Sequence, residues 1–340
     1  MKKRLVALLT ATLMGTLCLV GCGSTKETAT EGTTEEAVVE ESSEAEVAEA
    51  VEEETQMETE ETETTEETEE VATDETKDTA ILVVSFGTSY NDSRDVTIGA
   101  IENVITEAFP EYEVRRAFTS QIIIDILEER EGMEIDNVEE ALDRAVADGI
   151  KTLVVQPTHL MDGFEYTDLV NALSDYEEDF DQIVVAEPLL ISDTDFDAVV
   201  AAITEKTASY DDGETAICFM GHGTEAESNA VYAKLQDKLT EAGYENYYIG
   251  TVEAEPSLDT VVAAINEKGT YKKVILEPLM VVAGDHANND MAGTEEDSWR
   301  TVIEGEGYEV ECVIEGLGQI PAIQDIYVEH TQAAIDNLAK

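Results

Sequence analysis

AILVVSFGTS at residues 80–89 and AICFMGHGT at residues 216–224 decide the fold. Each is a short apolar run without polar alternation that ends in a glycine-containing turn. That is the pattern of a strand buried on both faces of a parallel sheet. Working outward from Ala80–Phe86, further strand-like runs occur at Tyr112–Phe118, Lys151–Gln156 and Gln182–Ala186. Working outward from Ala216–Met220, they occur at Asn246–Ile249, Lys273–Glu277 and Glu309–Ile314. Amphipathic stretches lie between or after them: Val96–Ala108, Asn137–Ala147, Asp195–Thr207, Ala226–Ala242, Leu258–Lys268 and Ile320–Leu338. Strands alternating with helices predict an α/β protein built from doubly wound parallel sheets with right-handed crossovers.

The two opening runs also mark a repeat. Ser85-Phe86-Gly87-Thr88 closes the first, and Gly221-His222-Gly223-Thr224 closes the second. Further on, Val155-Gln156-Pro157 is followed by Gly163 and Glu165, and Leu276-Glu277-Pro278 is followed at the same distances by Gly284 and His286. Two matches in the same order predict an internal duplication, with one similar α/β half at residues 79–210 and another at residues 211–340. Open α/β sheets bind ligands beyond the carboxyl ends of their strands, so the turns after these runs are expected to surround a cleft.

The first 78 residues belong to neither half. Lys2, Lys3 and Arg4 precede an apolar run, Leu5–Val20, that is short for a transmembrane helix and reads as a secretory signal. It ends in Leu19-Val20-Gly21-Cys22, a bacterial lipobox pattern, so residues 1–22 are expected to be a lipoprotein signal with Cys22 as the lipidated residue. Residues 23–78 hold 23 acidic residues against Lys26 and Lys77, with no aromatic residue and no proline. Such a segment lacks apolar surface to bury and repels itself. It is expected to be a disordered tether spanning roughly 40 Å or more. Together these features predict an extracytoplasmic domain anchored to the bacterial cell membrane through Cys22.

The net charge of −59 is unevenly divided; residues 79–340 carry 14 basic against 55 acidic residues, leaving −41. Nucleic acid is excluded as a partner, because phosphate binding needs clustered basic side chains. Cations would be attracted instead. Cys218 and Cys312 sit in apolar runs with no CxxC spacing, so they read as buried thiols. A homo-oligomer is compatible with the chain, which carries no sequence signal for or against one.

The chain has four histidines. His222 sits between two glycines where a buried strand ends, which leaves room for a ligand beside the imidazole. Glu253 follows Asn246–Ile249, and a carboxylate just beyond a buried strand must be solvated, paired or bound to a cation. His286 follows Lys273–Glu277 where a helix could begin, with Asp285 placed to orient its ring or cap that helix. Two imidazoles and one carboxylate at three strand exits of one half suit a borderline divalent ion. His159 follows the strand Lys151–Gln156 and either lines the cleft or plays a structural part. His330 lies on the C-terminal helix and reads as a surface residue. Phe86 stands where His222 stands in the other half, so no equivalent ligand is expected there.

The segments MGHGT (220–224), GTVE (250–253) and EPLMVVAGDHANNDM (277–291), with SFGTS (85–89), RRAFTS (115–120) and VQPTHLMDGFEY (155–166), resemble the anaerobic sirohydrochlorin cobaltochelatases, relatives of class II ferrochelatases. The likeness extends over residues 79–340. It implies two four-stranded α/β domains with a tetrapyrrole in the cleft between them, and a metal site formed by His222, Glu253 and His286. It also implies insertion of Co²⁺ into sirohydrochlorin or a related tetrapyrrole, with Fe²⁺ and Ni²⁺ suited to the same ligands. His222 would be both proton acceptor and ligand, with Glu253 and His286 as ligands and proton-transfer partners. Sirohydrochlorin carries eight carboxylates, for which Arg94, Arg115 and Arg116 are candidate anchors; the arginines of the 115–116 pair could equally be outward charges on a strand end. Ala254-Glu255 departs from a Gly-aromatic pair common in that family, so the pocket wall is expected to differ there. Because cobalamin assembly is cytoplasmic, export keeps a second reading open: a non-catalytic surface lipoprotein that binds haem, another tetrapyrrole or a metal ion for uptake.

Overall fold

The computed structural model describes residues 78–338; the expected signal, lipidated Cys22 and tether lie outside them. The first sheet contains β1 (Thr79–Ser85), β2 (Glu113–Phe118), β3 (Thr152–Pro157) and β4 (Gln182–Val185), in the order β2-β1-β3-β4. The second contains β5 (Thr215–Gly221), β6 (Tyr247–Thr251), β7 (Lys273–Pro278) and β8 (Glu309–Cys312), in the matching order β6-β5-β7-β8. Every pairing is parallel. The two sheets thus repeat one topology, as the duplicated motifs predict.

Helices cover both faces of each sheet. In the first half these are α1 (Asn91–Val96), α2 (Ile98–Ala108), α3 (Gln121–Glu131), α4 (Val138–Ala147), α5 (Phe164–Ser174) and α6 (Asp193–Thr207). In the second they are α7 (Ala230–Glu241), α8 (Leu258–Lys268), α9 (Trp299–Gly305) and α10 (Pro321–Asp336). The period-2 alternation of a strand divides each buried run between two cores. Ala80, Leu82 and Val84 pack with Ala141 and Leu142 of α4 and with Leu169 and Leu173 of α5. Ile81 and Val83 face the other way, into a core with Ile101 and Ile105 of α2. That second core continues to Ile217 and Phe219 of β5, Leu235 and Leu239 of α7, and the inner faces of α6 and α10. One apolar interior therefore runs through both halves, and it keeps the cleft walls in a defined relation.

The chain's two halves exchange attachments. Lys206 of α6 pairs at 2.5 Å with Glu277, a buried carboxylate of β7. Thr207 shares a 2.8 Å hydrogen bond with the Tyr247 hydroxyl of β6. In return, α10 packs against α2, α6 and β3. Tyr327 donates to the carbonyls of Thr158 (3.1 Å) and His159 (3.3 Å), and Thr331 donates to Gln156 Oε1 (2.8 Å). These bonds brace the exit of β3 from behind. The stretch Val96–Ala108, which reads as one helix, is divided at Thr97, whose backbone N–H and hydroxyl both turn to the Ser93 carbonyl. Cys218 and Cys312 are free, on strands that flank β7 on opposite sides; Cys218 is buried as its apolar setting predicts, whereas Cys312, on the edge strand, is only half-buried.

Replacing Tyr327 with Phe removes the donor to the Thr158 carbonyl and leaves the His159 carbonyl with Leu189 N–H alone. The expected loss is about 1–3 kcal/mol in urea unfolding; an unchanged midpoint would show that the hydroxyl does not brace the β3 exit.

Candidate functional site

The β5–β6 ladder does not stop where the strands do. Gly221 is in register with Thr251, and beyond that pair Val252 N–H donates to Gly221 O (3.0 Å) and Glu253 N–H to His222 O (2.9 Å). The backbone therefore sets His222 and Glu253 side by side, with Nδ1 3.9 Å from the nearer carboxylate oxygen. Both glycines around His222 are required by close approach. A Cβ on Gly221 would lie 2.2 Å from the Tyr232 ring. Gly223 has φ +88°, and a Cβ there would lie 2.8 Å from Ala254 N.

His286 arrives from β7. The segment after Pro278 is held by Leu279 N–H to Met220 O (2.7 Å) and by Ala283 N–H to Ser93 Oγ (2.9 Å), a bond across the halves. A helical turn then runs into a π-turn at Ala287–Met291, a geometry enriched at functional sites. There His286 Nδ1 donates to Asp290 Oδ2 at 2.7 Å. Asp290, not Asp285, orients this ring; Asp285 instead accepts from Tyr90 Oη and Asn289 Nδ2. His222 Nδ1 donates to Gly223 O at 2.7 Å. In the neutral form of each ring these bonds place the hydrogen on Nδ1 and leave Nε2 as the free lone pair, the arrangement that binds a metal. The two rings lie edge to face with centroids 4.7 Å apart, and one ligand atom each from His222, Glu253 and His286 falls within 4.8 Å of the others. The three residues read from the sequence do meet.

These residues open onto a cleft of about 500 Å³ between the halves. Its first-half wall repeats the second-half construction with different side chains. Thr119 N–H donates to Ser85 O and Ser120 N–H to Phe86 O, the same two bonds that position Glu253 beside His222. Phe86 thus corresponds to His222, Ser120 to Glu253 and, by the repeat, Glu165 to His286. Ser120 caps α3, its hydroxyl accepting from Ile123 N–H. Glu165 lines the cleft, and desolvation against the cleft wall raises its pKa. The sequence signal for Glu165 is its alignment with His286 in the repeat.

Apolar groups complete the walls: Phe86, Ile123 and Phe164 on one side, Met280, Val281 and Val282 on the other. Phe164, 59% exposed, and Phe86, 46% exposed, present open aromatic rings on this wall. Glu255 turns away and accepts from Ser257 N–H and Thr260 Oγ1 at the start of α8. Neither Ala254 nor Glu255 lines the cleft.

The arginines fall elsewhere. Arg115 and Arg116 lie within β2, in register with Leu82 and Val83, well short of the strand exit. Arg115 pairs with Glu113 (3.0 Å) and Asp148 (2.8 Å), and Arg116 makes a bidentate pair with Glu102. Arg94 is buried against Asp95 and Glu131. The expectation that they anchor carboxylates is corrected by these pairings: the guanidinium groups neutralise the protein's own acids. Among the described residues, no Lys or Arg lines the cleft, whereas Glu165, Glu225, Glu253 and Asp285 do.

His159 lines the cleft floor at 7% exposure, and neither ring nitrogen has a hydrogen-bond partner. Burial pulls its pKa down from 6.5 to about 4. The unfolded chain therefore binds one more proton than the folded protein between those values. Stability from this group is complete above pH 6.5 and is lost, by roughly 3 kcal/mol in all, as pH falls toward 4. His159→Asn is expected to remove that part of the acid sensitivity in unfolding midpoints measured from pH 7 to 4; parallel profiles for both proteins would refute it.

Known proteins are similar to this chain in sequence and in fold. Residues 79–336 match the family model described as cobalt chelatase (CbiK). The chain is 35% identical over 257 residues to the sirohydrochlorin cobaltochelatase of Salmonella typhimurium, covering 76% of this chain and 96% of that protein. It is 31% identical over 260 residues to sirohydrochlorin cobaltochelatase CbiKC of Nitratidesulfovibrio vulgaris, covering 76% and 91%. Among solved structures, SirB from Bacillus subtilis with Fe³⁺ shares the fold at a TM-score of 0.53 and 13% identity, covering 76% of this chain and 96% of that one. With the family match spanning nearly the whole of the described fold, the chain belongs to the cobalt chelatase (CbiK) family.

Proposed function

We propose that this protein inserts Co²⁺ into sirohydrochlorin, acting as a sirohydrochlorin cobaltochelatase outside the cytoplasm. The observation that carries the reading is the convergence of His222, Glu253 and His286 at the edge of an apolar, slot-like cleft. The relatives named as sirohydrochlorin cobaltochelatases support the substrate and the metal, and imidazole and carboxylate ligation also suits Fe²⁺ and Ni²⁺.

Insertion exchanges two pyrrole N–H protons for one dication, so the site must give up a metal and take up two protons. His222 and His286 hold the ion through Nε2, and Glu253 adds a carboxylate oxygen. Phe86, Phe164 and the Met280–Val282 segment hold the macrocycle flat, with its nitrogens toward the ion. As the metal moves to the macrocycle, the vacated imidazoles and Glu253 become proton acceptors, and His222 is assigned the first proton. Glu165 faces them across the cleft as a further acceptor. His159 shapes the floor as a neutral ring. The macrocycle's carboxylates extend toward solvent, since the cleft offers them acids and not bases.

The purified protein is expected to convert metal-free sirohydrochlorin to the cobalt form anaerobically, followed by the change in its visible spectrum. His222→Ala and His286→Ala should each lower kcat at least about 100-fold with unchanged unfolding midpoints. Wild-type rates in both variants would overturn the assignment. Tight binding of haem with no insertion activity would favour the uptake receptor instead.

The same proposal places the domain on a membrane through lipidated Cys22, with residues 23–78 as spacer. Cys22→Ser is expected to move the protein from the membrane fraction to the soluble fraction while the chelatase rate stays within about twofold; retention on the membrane would rule out this anchor.

A further inference from the structure

A second set of metal-type ligands lies outside the cleft, where α10 meets the first half. Glu187 follows β4, Asp195 sits in the first turn of α6, and His330 projects from α10. One ligand atom from each lies within 4.8 Å of the others, the same spacing shown by the cleft triad. His330 is not a surface residue as its sequence setting suggests: its side chain is 11% exposed, and that of Asp195 is 10% exposed.

The hydrogen bonds around His330 define what the site lacks. Nδ1 lies 3.1 Å from the Glu187 carbonyl oxygen, which can only accept, so Nδ1 carries the ring's first hydrogen. Nε2 then faces Asp195 Oδ1 at 3.3 Å. In a neutral ring that is a lone pair pointed at a carboxylate oxygen, two acceptors in contact. The carboxylate cannot turn aside, because its other oxygen accepts from Ser192 N–H (2.7 Å) and Ile191 N–H (3.3 Å) in the helix cap. The arrangement is at rest only if a positive species joins Nε2 to the oxygen.

We propose that a divalent cation bound by Glu187, Asp195 and His330 fills this role. Metal bonds of about 2.0–2.2 Å place ligand atoms about 3–4.3 Å apart, so the group closes on an ion with only small side-chain movement. One imidazole nitrogen and two carboxylate oxygens match a borderline ion such as Zn²⁺, and a dication balances the two carboxylates where a proton leaves one negative charge over. The Glu187 carbonyl fixes the tautomer of the ligating ring, as outer partners of metal-bound histidines commonly do. Exposed Glu187 gives the ion its way in from solvent. The cation staples α10 to the first half one turn beyond Tyr327, which holds the His159 loop. This site does not depend on the chelatase reading.

Zn²⁺ titration of the full-length protein against a chromophoric chelator of about micromolar affinity tests it. The acidic segment 23–78 is the same in every variant, so differences between variants count specific sites. His330→Ala is expected to bind one equivalent fewer than wild type. Glu187→Gln, an exposed substitution that leaves the fold alone, should weaken that same equivalent at least about tenfold. The equivalent should persist in the His222→Ala/His286→Ala double variant. Identical Zn²⁺ binding by wild type, His330→Ala and Glu187→Gln would overturn the proposal and leave an imidazolium–carboxylate pair only. So would loss of every tight equivalent in the cleft double variant.

Discussion

Two backbone hydrogen bonds beyond the ends of β5 and β6 govern the rest of this molecule's chemistry. Val252 N–H to Gly221 O and Glu253 N–H to His222 O carry the parallel register two residues past the sheet. An imidazole and a carboxylate on loops would otherwise cost conformational entropy to bring together. Here the ladder sets their spacing before any ligand binds. The turn is too close-packed for side chains: a Cβ at 223 would meet Ala254 N of the facing segment and one at 221 the Tyr232 ring, so both positions around His222 require glycine. In the first half the same two bonds recur at Ser85–Thr119 and Phe86–Ser120. The repeat supplies two equivalent frames, and they differ in what each displays: two imidazoles and a carboxylate on one wall, an aromatic ring and an acid on the other.

The electrostatics follow from that asymmetry. Four acids line the cleft and no Lys or Arg among the described residues does, so its field draws in a dication and gives nothing to an anionic macrocycle. Binding of a polycarboxylate ring must therefore come from its flat apolar face against Phe86, Phe164 and Val281, with the charged arms outside. A bound dication offsets part of the local negative charge and makes the cleft less hostile to such a ring. The arginines that chemistry would assign to those arms are already committed to Glu102, Asp148 and Glu131.

Much of this was legible in the sequence, for identifiable reasons. All eight strands were located because parallel strands buried on both faces are uninterrupted apolar runs, and the motif residues at their exits marked the site. Helix α3 was not recognised because Ile122, 72% exposed, and Ile126 blur its apolar stripe. Helix α5 was obscured in the same way by exposed Phe164 and Val170. These departures from amphipathic pattern are partly functional, since Ile123 and Phe164 belong to the cleft. The pairings of Arg115 and Arg116 were not legible, because a charge in a strand does not reveal whether its partner is a substrate or an acid 33 residues away, as Asp148 is from Arg115. The setting of His330 is hidden for a related reason: its partners lie just after β4 and in the first turn of α6, far off in the chain.

The exchange of terminal helices explains why two duplicated halves act as one site. If each half kept its own last helix, the cleft walls would meet only at loops and could drift apart. Instead α6 is fastened to the second sheet through Lys206–Glu277 and Thr207–Tyr247, and α10 to the first through Tyr327 and Thr331. Opening the cleft would then break a buried ion pair and several buried hydrogen bonds, each costly to leave unmade. Metal transfer to a rigid ring needs the ligands and the facing wall held to a fraction of an ångström. The crossing helices supply that stiffness from behind the sheets, and so leave the strand exits free to carry the ligands.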